Sequence, residues 1–369
     1  MKLLLIVRPF SFHGGVERAT TGLLAALAER GHEVHVLSPG AQDVLGGVKV
    51  HRLPLPPLPA GARLLALAVG ARLLAARGDW DIVQSHERTL GQDVYRAGEG
   101  CHRAYLDAGA ASGGRRGYHR LLLALERQVF RRSRHIVAIA RIGKREIEHL
   151  YAVPSARVTV VYNGVDLARF HPRNRALHRA SALAEAGVPA NAWVVLFVGS
   201  GFERKGLATV VEAFARQEDR DGRLIIVGKG HPQIYQLRAA QLGVADRIAW
   251  LGPRPDIERW YAAADAVALP ALYEPFGNVH LEALASGVPV VTSTCAGGAE
   301  VVVDGVNGAV VPPRDPGELA GALDRVRALQ RHEVALAARG SAEPYTFGRQ
   351  VSELEKIYRT LLAARVDFP

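Results

Sequence analysis

Two glutamates, Glu274 and Glu282, lie eight positions apart in the stretch YEPFGNVHLEALASG, which spans residues 273 to 287. Pro275 and Gly277 are typical of a turn, so we expect Glu274 to lie on a loop. Two carboxylates on either side of a turn can belong to one polar site. Whether they do depends on the element that follows the turn.

The residues after this turn have the pattern of a short helix. Asn278 is a favourable N-cap, and the run from 279 to 285 predicts a helix that ends at Gly287. Because helical side chains lean toward the helix N-terminus, Glu282 should point back toward the loop. Both carboxylates and the unpaired N–H groups of the first turn would then converge. For this motif taken alone, a capped surface helix with solvated acids is the simpler interpretation.

A second candidate is the stretch GSGFERKG at residues 199–206. It begins like the dinucleotide fingerprint, but Arg204 occupies the position of the third glycine, and Gly206 is not followed by the residues of a P-loop. Arg204 and Lys205 follow a strand predicted at 194–198. We therefore predict that they bind an anion on the wall of a cleft, with a solvated pair as the alternative.

Two glycines and one histidine are further candidates by position. Gly14 and Gly15 lie between a predicted strand and a predicted helix, where a backbone can approach a phosphate. An ordinary turn would use the same residues. His86 follows a short strand predicted at 81–84, which distinguishes it from the other histidines.

Neither a metal site nor a disulfide is indicated. The sequence contains no H-E-x-x-H and no D-x-D motif, and its histidines lack the spacing of metal ligands. We therefore expect no bound metal. Cys101 and Cys295 are far apart and belong to no C-x-x-C motif, which favours a reducing cytosol.

These candidate residues follow strands of two alternating β/α sets. The first set begins with a strand at 3–7, a helix at about 16–30 and a strand at 33–37, and the second begins at 194–198. Because the strands are wholly apolar, we predict an α/β fold with two doubly wound parallel sheets buried on both faces. Two such Rossmann-like domains bind a ligand in a central cleft, at the carboxyl ends of their strands.

Length and composition fit this two-domain organisation. The chain has 369 residues, of which 49% are apolar and 22% charged. This length is greater than that of a domain built around one core of ordinary size. We place the first domain at 1–168 and the second at 169–345, with a C-terminal helix at 346–369 that packs back on the first domain. The initial MKLLLIV imitates a signal peptide, but its apolar run is short, so we predict a buried first strand. No stretch is apolar enough to span a membrane.

Positive charge is concentrated in one region. The formal net charge is +10, and the segment from Arg96 to Arg145 has twelve basic residues against three acids. Such a concentration indicates an anionic partner. Within it, residues 118–132 predict a helix with large apolar residues and a basic flank, which can lie in a bilayer interface; a core-packing helix with solvated arginines is the alternative. The arginines of this patch are Arg116, Arg120, Arg127, Arg131, Arg132 and Arg134.

Several motifs together resemble glycosyltransferase family 4, whose members are retaining enzymes with the GT-B fold. They are SFHGGVER, YNGVD-x-x-RF, VGSGFERKG, YEPFGNVHLEALASGVPVV and GGAEVVVDGVNG, and the resemblance covers residues 1 to 366. RAGEGCHRAYL and the adjacent Arg204–Lys205 pair are similar to the lipopolysaccharide inner-core glucosyltransferases, which add a sugar to heptose. The resemblance implies metal-independent hexosyl transfer from a nucleotide sugar to a lipid-linked saccharide. UDP-glucose is favoured, with UDP-galactose, UDP-N-acetylglucosamine and ADP-heptose left open, and no cofactor is expected.

The resemblance also implies donor-binding roles. Glu282 would accept hydrogen bonds from the ribose hydroxyls, and Glu274 from hydroxyls of the hexose. Arg204 and Lys205 would neutralise the diphosphate, although many relatives carry their arginine five positions before the lysine, where this chain has Ser200. The other implied donor contacts are Gly14, Gly15, Phe276, Gly277 and Asn278.

On the acceptor side, the resemblance implies that Glu99, in DVYRAGEG, assists or orients the acceptor. His86 belongs to His86–Glu87–Arg88, where many relatives have an H-E-P-type loop, and is a candidate contact to the donor sugar or the acceptor. The basic patch would bind the anionic inner leaflet or recruit the acceptor. This places the protein on the inner, cytoplasmic face of the membrane, with its oligomeric state open.

Three alternatives remain. One is a family 4 transferase with another donor or acceptor. Another is a GT-B nucleotide-sugar 2-epimerase, which the context of Glu274 and Glu282 disfavours. The third is a nucleic-acid-binding module, suggested by the pI of 9.9. Because aromatic residues are only 7% and no RNA- or DNA-binding signature is found, we expect no nucleic-acid partner.

Overall fold

The computed structural model describes residues 1–9, 15–40, 46–110, 116–217 and 221–366. The chain divides into two compact units. The first comprises Met1–Asp107, Gly113–Gly164 and Phe347–Pro369, and the second Ala108–Ser112 and Val165–Thr346. Each unit contains one parallel β-sheet with its helices, so the predicted pair of Rossmann-like α/β domains is confirmed.

Within the described residues, the strands of the first sheet are β1 (Lys2–Ile6), β2 (Glu33–Ser38), β3 (Val48–Arg52), β4 (Ile82–Ser85), β5 (Val94–Ala97), β6 (His135–Ala138) and β7 (Val158–Val160). Their order is β3-β2-β1-β4-β5-β6-β7, and all neighbours are parallel. The order reverses between β1 and β4, where the carboxyl ends of a doubly wound sheet bind ligands. The helices are α1 (Gly15–Glu29), α2 (Ala60–Ala75), α3 (His102–Asp107), α4 (Arg116–Arg132) and α5 (Arg141–Tyr151).

The second sheet repeats this plan. Over the described ranges its strands are β8 (Val194–Val198), β9 (Arg223–Val227), β10 (Ile248–Gly252), β11 (Ala266–Leu269), β12 (Val290–Ser293) and β13 (Gly308–Val311). They are parallel in the order β10-β9-β8-β11-β12-β13, so the reversal lies between β8 and β11. The helices are α6 (Asn174–Glu185), α7 (Leu207–Arg216), α8 (Gln233–Gln241), α9 (Ile257–Ala263), α10 (Val279–Ala285), α11 (Pro316–Ala328) and α12 (Arg331–Ala342).

The last helix, α13 (Phe347–Val366), belongs to the core of the first unit. Val351, Leu354 and Tyr358 are buried in the same apolar cluster as Leu5 of β1. The predictions that the C-terminal helix packs on the first domain and that the initial apolar run is a buried strand are both confirmed. In the part of the chain that the structure describes, no helix is long and apolar enough to cross a bilayer.

Candidate active site

The turn and the helix that carry the two glutamates are buried. Glu274 lies on the loop after β11, Glu282 lies on α10, and both side chains are almost completely covered. Every residue of α10 is buried, so a solvated surface helix does not describe this motif. Oε2 of Glu282 accepts a hydrogen bond of 2.9 Å from the hydroxyl of Tyr261 on α9. Nothing in the sequence pattern had indicated this tyrosine, which lies 21 positions earlier.

Asn278 lies at the predicted N-cap position of α10 but does not cap the helix with its side chain. Its backbone is already helical, with φ −55° and ψ −23°, and its side chain makes no capping hydrogen bond. Asn278 thus occupies the predicted N-cap position without the capping hydrogen bond, because a capping side chain needs an extended backbone there. Backbone hydrogen bonds close the turn instead, including one of 3.0 Å from His280 N to Gly277 O. Gly277 has φ 79°, and a Cβ there would lie 2.9 Å from Cγ of Glu274, so this turn requires glycine.

Arg204 and Lys205 meet at one oxygen of Glu274. Nη1 of Arg204 donates to Glu274 Oε2 at 2.9 Å and to the carbonyl of Tyr273 at 2.8 Å. Nζ of Lys205 lies 3.2 Å from the same Oε2, and the lysine side chain is only 10% exposed. The structure thus brings three predicted site residues together, and the pair is not a solvated one. Two positive charges against one carboxylate leave a net positive site, suited to an anion.

The charge of Glu274 follows from these contacts. Burial would raise the pKa of this carboxyl, but the charges and hydrogen bonds of Lys205 and Arg204 lower it to about 2. Glu274 is therefore ionised at neutral pH and can only accept hydrogen bonds.

The glycines around these cations serve close packing. A Cβ on Gly199 would lie 2.2 Å from Cδ and 2.8 Å from Cε of Lys205, so the lysine stem rests directly on the backbone. Gly206 has φ 76°, and a Cβ there would lie 2.1 Å from the carbonyl oxygen of Pro270. Gly199 thus fixes the position of the Lys205 ammonium group, and Gly206 allows the close approach of Pro270.

A buried histidine supports the turn. Nδ1 of His280 lies 2.7 Å from the carbonyl oxygen of Gly277, and Nε2 lies 2.8 Å from Oγ1 of Thr292. Burial lowers the pKa of His280 to about 4, so the ring is neutral at pH 7. Because a carbonyl can only accept, we assign the ring proton to Nδ1. The available signal was a histidine inside an otherwise apolar helix, two positions before Glu282, and our sequence reasoning did not use it.

In the first unit, Glu99 is held by two arginines. Arg8 forms ion pairs with Glu99 and, at 2.9 Å, with Glu87, and Arg88 donates to Glu99 at 2.5 Å. The Glu99 side chain is 42% exposed, and its partial desolvation is outweighed by the charges and hydrogen bonds of Arg88 and Arg8, which lower its pKa to about 2. Such a carboxylate can orient a hydroxyl but takes up a proton poorly. Burial and the nearby charge of Glu99 raise the pKa of Glu87 instead.

His86 follows β4, as expected, and is buried. Its Nε2 lies 2.9 Å from the side-chain nitrogen of Gln84, whose oxygen accepts a hydrogen bond of 2.7 Å from the hydroxyl of Tyr358. Burial, with Arg96 and Arg8 nearby, lowers the pKa of His86 well below its usual value. A neutral His86 is thus oriented through Gln84 by a tyrosine of α13.

The helix predicted to lie in a bilayer is α4, and its apolar side faces the protein core. Leu125, Val129 and Phe130 are buried, so the predicted insertion of these residues into a membrane is wrong. Arg134, just after the helix, is partly buried and donates to the carbonyl of Leu361 at 2.9 Å. The exposed arginines of α4 are Arg116, Arg120, Arg127, Arg131 and Arg132.

The remaining predicted site residues are Gly14, Gly15 and Phe276. Gly14 lies outside the described residues, and Gly15 is the first residue of α1. Phe276 is buried, and its carbonyl accepts a hydrogen bond of 2.7 Å from Gly298 N. Across the described ranges, no group of three or more His, Cys, Asp or Glu side chains could hold a metal ion.

Comparisons with known proteins agree with this architecture. A family profile described as glycosyltransferase family 4 matches residues 13–169, and one described as glycosyl transferases group 1 matches residues 192–328. The D-inositol 3-phosphate glycosyltransferase of Salinispora arenicola is 32% identical over 94% of this chain and 82% of its own length. An uncharacterized glycosyltransferase of Methanocaldococcus jannaschii is 26% identical over 94% of both chains.

Solved structures share the fold. WaaG, a glycosyltransferase involved in lipopolysaccharide biosynthesis, superimposes with a TM-score of 0.81 over 95% of this chain and 99% of its own, at 24% identity. HepE of Anabaena, in complex with UDP-glucose, gives a TM-score of 0.74 over 96% and 99%, at 21% identity. Fold and site together define a glycosyltransferase of the GT-B class. The chain belongs to glycosyltransferase family 4.

Proposed function

We propose that this enzyme transfers a hexose, with glucose favoured, from a UDP-sugar to a heptose of the lipopolysaccharide core with retention of configuration. The observation that supports donor binding is the cluster of partly buried Arg204 with buried Lys205 and Glu274. It has a net positive charge, and it is continuous in sequence with the helix that carries Glu282. An anion next to a polyhydroxyl group is the ligand that suits this set of side chains.

Donor binding would exchange the partners of this cluster. The diphosphate oxygens accept hydrogen bonds from Lys205 and Arg204, which now donate to Glu274. The carboxylate, ionised because its pKa is about 2, then accepts hydrogen bonds from hydroxyls of the hexose. Glu282, oriented by Tyr261, accepts from the two ribose hydroxyls.

The transfer step needs stabilisation of the leaving diphosphate. We propose front-face attack: the acceptor oxygen bonds to the anomeric carbon while the bond to UDP breaks, and the acceptor proton passes to a phosphate oxygen. Lys205 and Arg204 stabilise the charge that develops there, the role that a divalent cation has in other transferases. We therefore propose that no metal is required, so activity should persist in EDTA.

Acceptor binding is assigned to the first unit. Glu99, ionised and held by Arg8 and Arg88, orients the attacking hydroxyl without removing its proton. His86, neutral and oriented through Gln84, is a second hydrogen-bonding group at the carboxyl edge of the sheet. The exposed arginines of α4 support an acceptor that carries phosphate and a location on the inner face of the cytoplasmic membrane.

A second acceptor is favoured by the comparisons. Relatives at 32% and 31% identity, from Salinispora arenicola and Actinosynnema mirum, are named D-inositol 3-phosphate glycosyltransferases. D-inositol 3-phosphate is also a phosphorylated polyol, so the same basic surface would suit it. The choice of UDP-glucose as donor is supported by HepE, which was solved with UDP-glucose on the same fold.

One experiment separates these possibilities. Purified enzyme is incubated with UDP-glucose and, in parallel, heptose-terminated lipopolysaccharide core, D-inositol 3-phosphate or no acceptor, with and without EDTA. We expect an α-linked glucosyl product on the core and equal activity in EDTA. Transfer only to D-inositol 3-phosphate would replace the acceptor assignment, and conversion of the sugar nucleotide without acceptor would indicate a 2-epimerase.

Two binding measurements complete the test. Calorimetric titration with UDP, ADP and GDP should give binding to UDP, and preference for another nucleotide would overturn the donor assignment. A gel shift with duplex and single-stranded DNA at physiological salt should be negative.

A further inference from the structure

Helix α2 exposes a row of large apolar side chains. Leu65, Val69 and Leu73 are 45%, 51% and 56% exposed. Residues four positions apart lie on one face of a helix, so the three form a continuous stripe. Leu58, just before the helix, is also exposed.

The inner face of α2 combines small residues with two partly buried leucines, Leu64 and Leu74. Ala71 and Ala75 are buried against β1 and β4 in the cluster that contains Ile6, and Ala68 is buried as well. A surface helix normally directs its large apolar residues inward and its polar residues outward. On α2, Leu64 and Leu74 pack against the core, whereas Leu65, Val69 and Leu73 face outward where polar residues are expected. Packing of the first unit therefore does not account for these three exposed residues.

This stripe differs from the other exposed apolar residues in the described parts of the chain. Leu177 on α6 and Leu336 on α12 are each the exposed large apolar residue of their helix, and α8 has a pair, Ile234 and Leu237. Isolated residues of this kind are ordinary. A row of three on one helix indicates a surface that another apolar phase covers.

The charges around the stripe indicate what that phase is. The sequence from 44 to 78 contains no Asp or Glu, and Arg63 and Arg72 are exposed on α2 itself. The neighbouring α4 contacts α2, since a Cβ on Gly61 would lie 3.2 Å from Cδ2 of Leu121. Its exposed arginines, described above, add positive charge. An apolar stripe with cations and no acids on its helix matches a bilayer interface with anionic head groups.

We propose that the stripe Leu65, Val69 and Leu73 inserts into the interface of an anionic bilayer, with Arg63 and Arg72 at the head groups. In this proposal α2 makes the apolar contact with the membrane. The sequence pattern had assigned that contact to α4, whose apolar residues are buried. The inference rests on the membrane location proposed above and deepens it, because it names the inserting element. The arginines of α4 then contribute attraction at longer range.

The test uses the full chain and sedimentation with vesicles of neutral phosphatidylcholine, with or without 30% anionic phosphatidylglycerol. The triple variant Leu65→Ser, Val69→Ser, Leu73→Ser should bind the anionic vesicles at least about 50-fold more weakly than the wild type. A matched control replaces Leu177, Leu237 and Leu336, which are 67%, 62% and 62% exposed, and should bind normally. A third variant replaces Arg120, Arg127 and Arg131 by Ser, and should bind more weakly and with less dependence on salt.

The outcomes separate the two proposals. If the arginine variant loses binding and the α2 variant keeps it, the α2 assignment is overturned and the membrane location stands. If the wild type does not bind anionic vesicles, both are overturned. If light scattering shows a wild-type dimer that the α2 variant abolishes, the stripe is covered by a second copy and the membrane assignment of α2 is wrong. Thermal unfolding at the same midpoint temperature as the wild type verifies that each variant is folded.

Discussion

Replacing Gly199 by alanine would displace the ammonium group of Lys205 without removing its charge. The new methyl carbon would lie 2.2 Å from Cδ of Lys205, whereas carbon atoms pack at roughly 3.5 Å or more. The lysine stem must therefore move by about 1.3 Å or more. The backbone of Gly199 is not in the left-handed region, so alanine itself fits there.

The displacement gives an expected effect on the rate. An ammonium that moves from about 3 Å to about 4.3 Å from a phosphate oxygen loses roughly 1.7 kcal/mol of attraction at an effective dielectric constant of about 20. This corresponds to about a 17-fold lower kcat. Lys205→Ala removes the charge and should lower kcat by about 100-fold or more.

The assay is the initial rate of glucosyl transfer at saturating UDP-glucose. Gly340→Ala is the matched control, because a Cβ at this position on α12 meets nothing within 4 Å. Thermal unfolding should show that all variants are folded. A Gly199→Ala enzyme as fast as the wild type would refute the steric argument, and full activity of Lys205→Ala would refute the role of the lysine.

Three further predictions concern residues that only the structure identified. Tyr261→Phe removes the hydrogen bond to Glu282 and should weaken UDP binding about fivefold in calorimetry; unchanged affinity would mean that the tyrosine does not orient the carboxylate. The pKa of His280 is about 4 in the folded protein and 6.5 in the unfolded chain. Between these pH values the unfolded chain binds a proton that the folded protein does not. The free energy of unfolding therefore falls as the pH falls through this window, by up to ~3 kcal/mol. His280→Gln should therefore lose less stability than the wild type between pH 7 and pH 5 in urea unfolding, and identical losses would contradict the assignment. Tyr358→Phe should lower kcat/KM for the acceptor a few-fold with no change in UDP affinity, because it releases Gln84 and through it His86; weaker UDP binding would instead indicate a general loss of structure.

The sequence predicted most of the fold because buried parallel strands are continuous apolar runs. Two strands were not identified because neither is a continuous apolar run. β3 has the sequence VKVHR and lies at the edge of the sheet, where only one side has a partner strand. β5 has the sequence VYRA, in which Arg96 interrupts the apolar pattern although it is buried in the structure.

For the site, sequence reasoning found residues that their local position, directly after a strand, identifies, and missed residues that are identified only by contacts with distant parts of the chain. Arg204, Lys205 and Glu274 were identified from their positions after strands. Tyr261 and Thr292 act on the same helix from other elements, and no local pattern marks them. The apolar side of α4 could not be assigned to core or membrane, because both environments select the same helical pattern.

The placement of α13 has a consequence for how the chain is made. Gly164 and Phe347 are in contact within the first unit, yet roughly 180 residues of the second unit lie between them in sequence. At a synthesis rate of about 5–20 residues per second, this interval lasts roughly 10–40 s. Throughout it, the nascent first unit lacks Val351, Leu354 and Tyr358, so part of the cluster around Leu5 stays open to solvent. All strands of the second unit are synthesised before the last helix of the first unit. The second unit, although later in sequence, can therefore complete its fold on the ribosome before the first unit does.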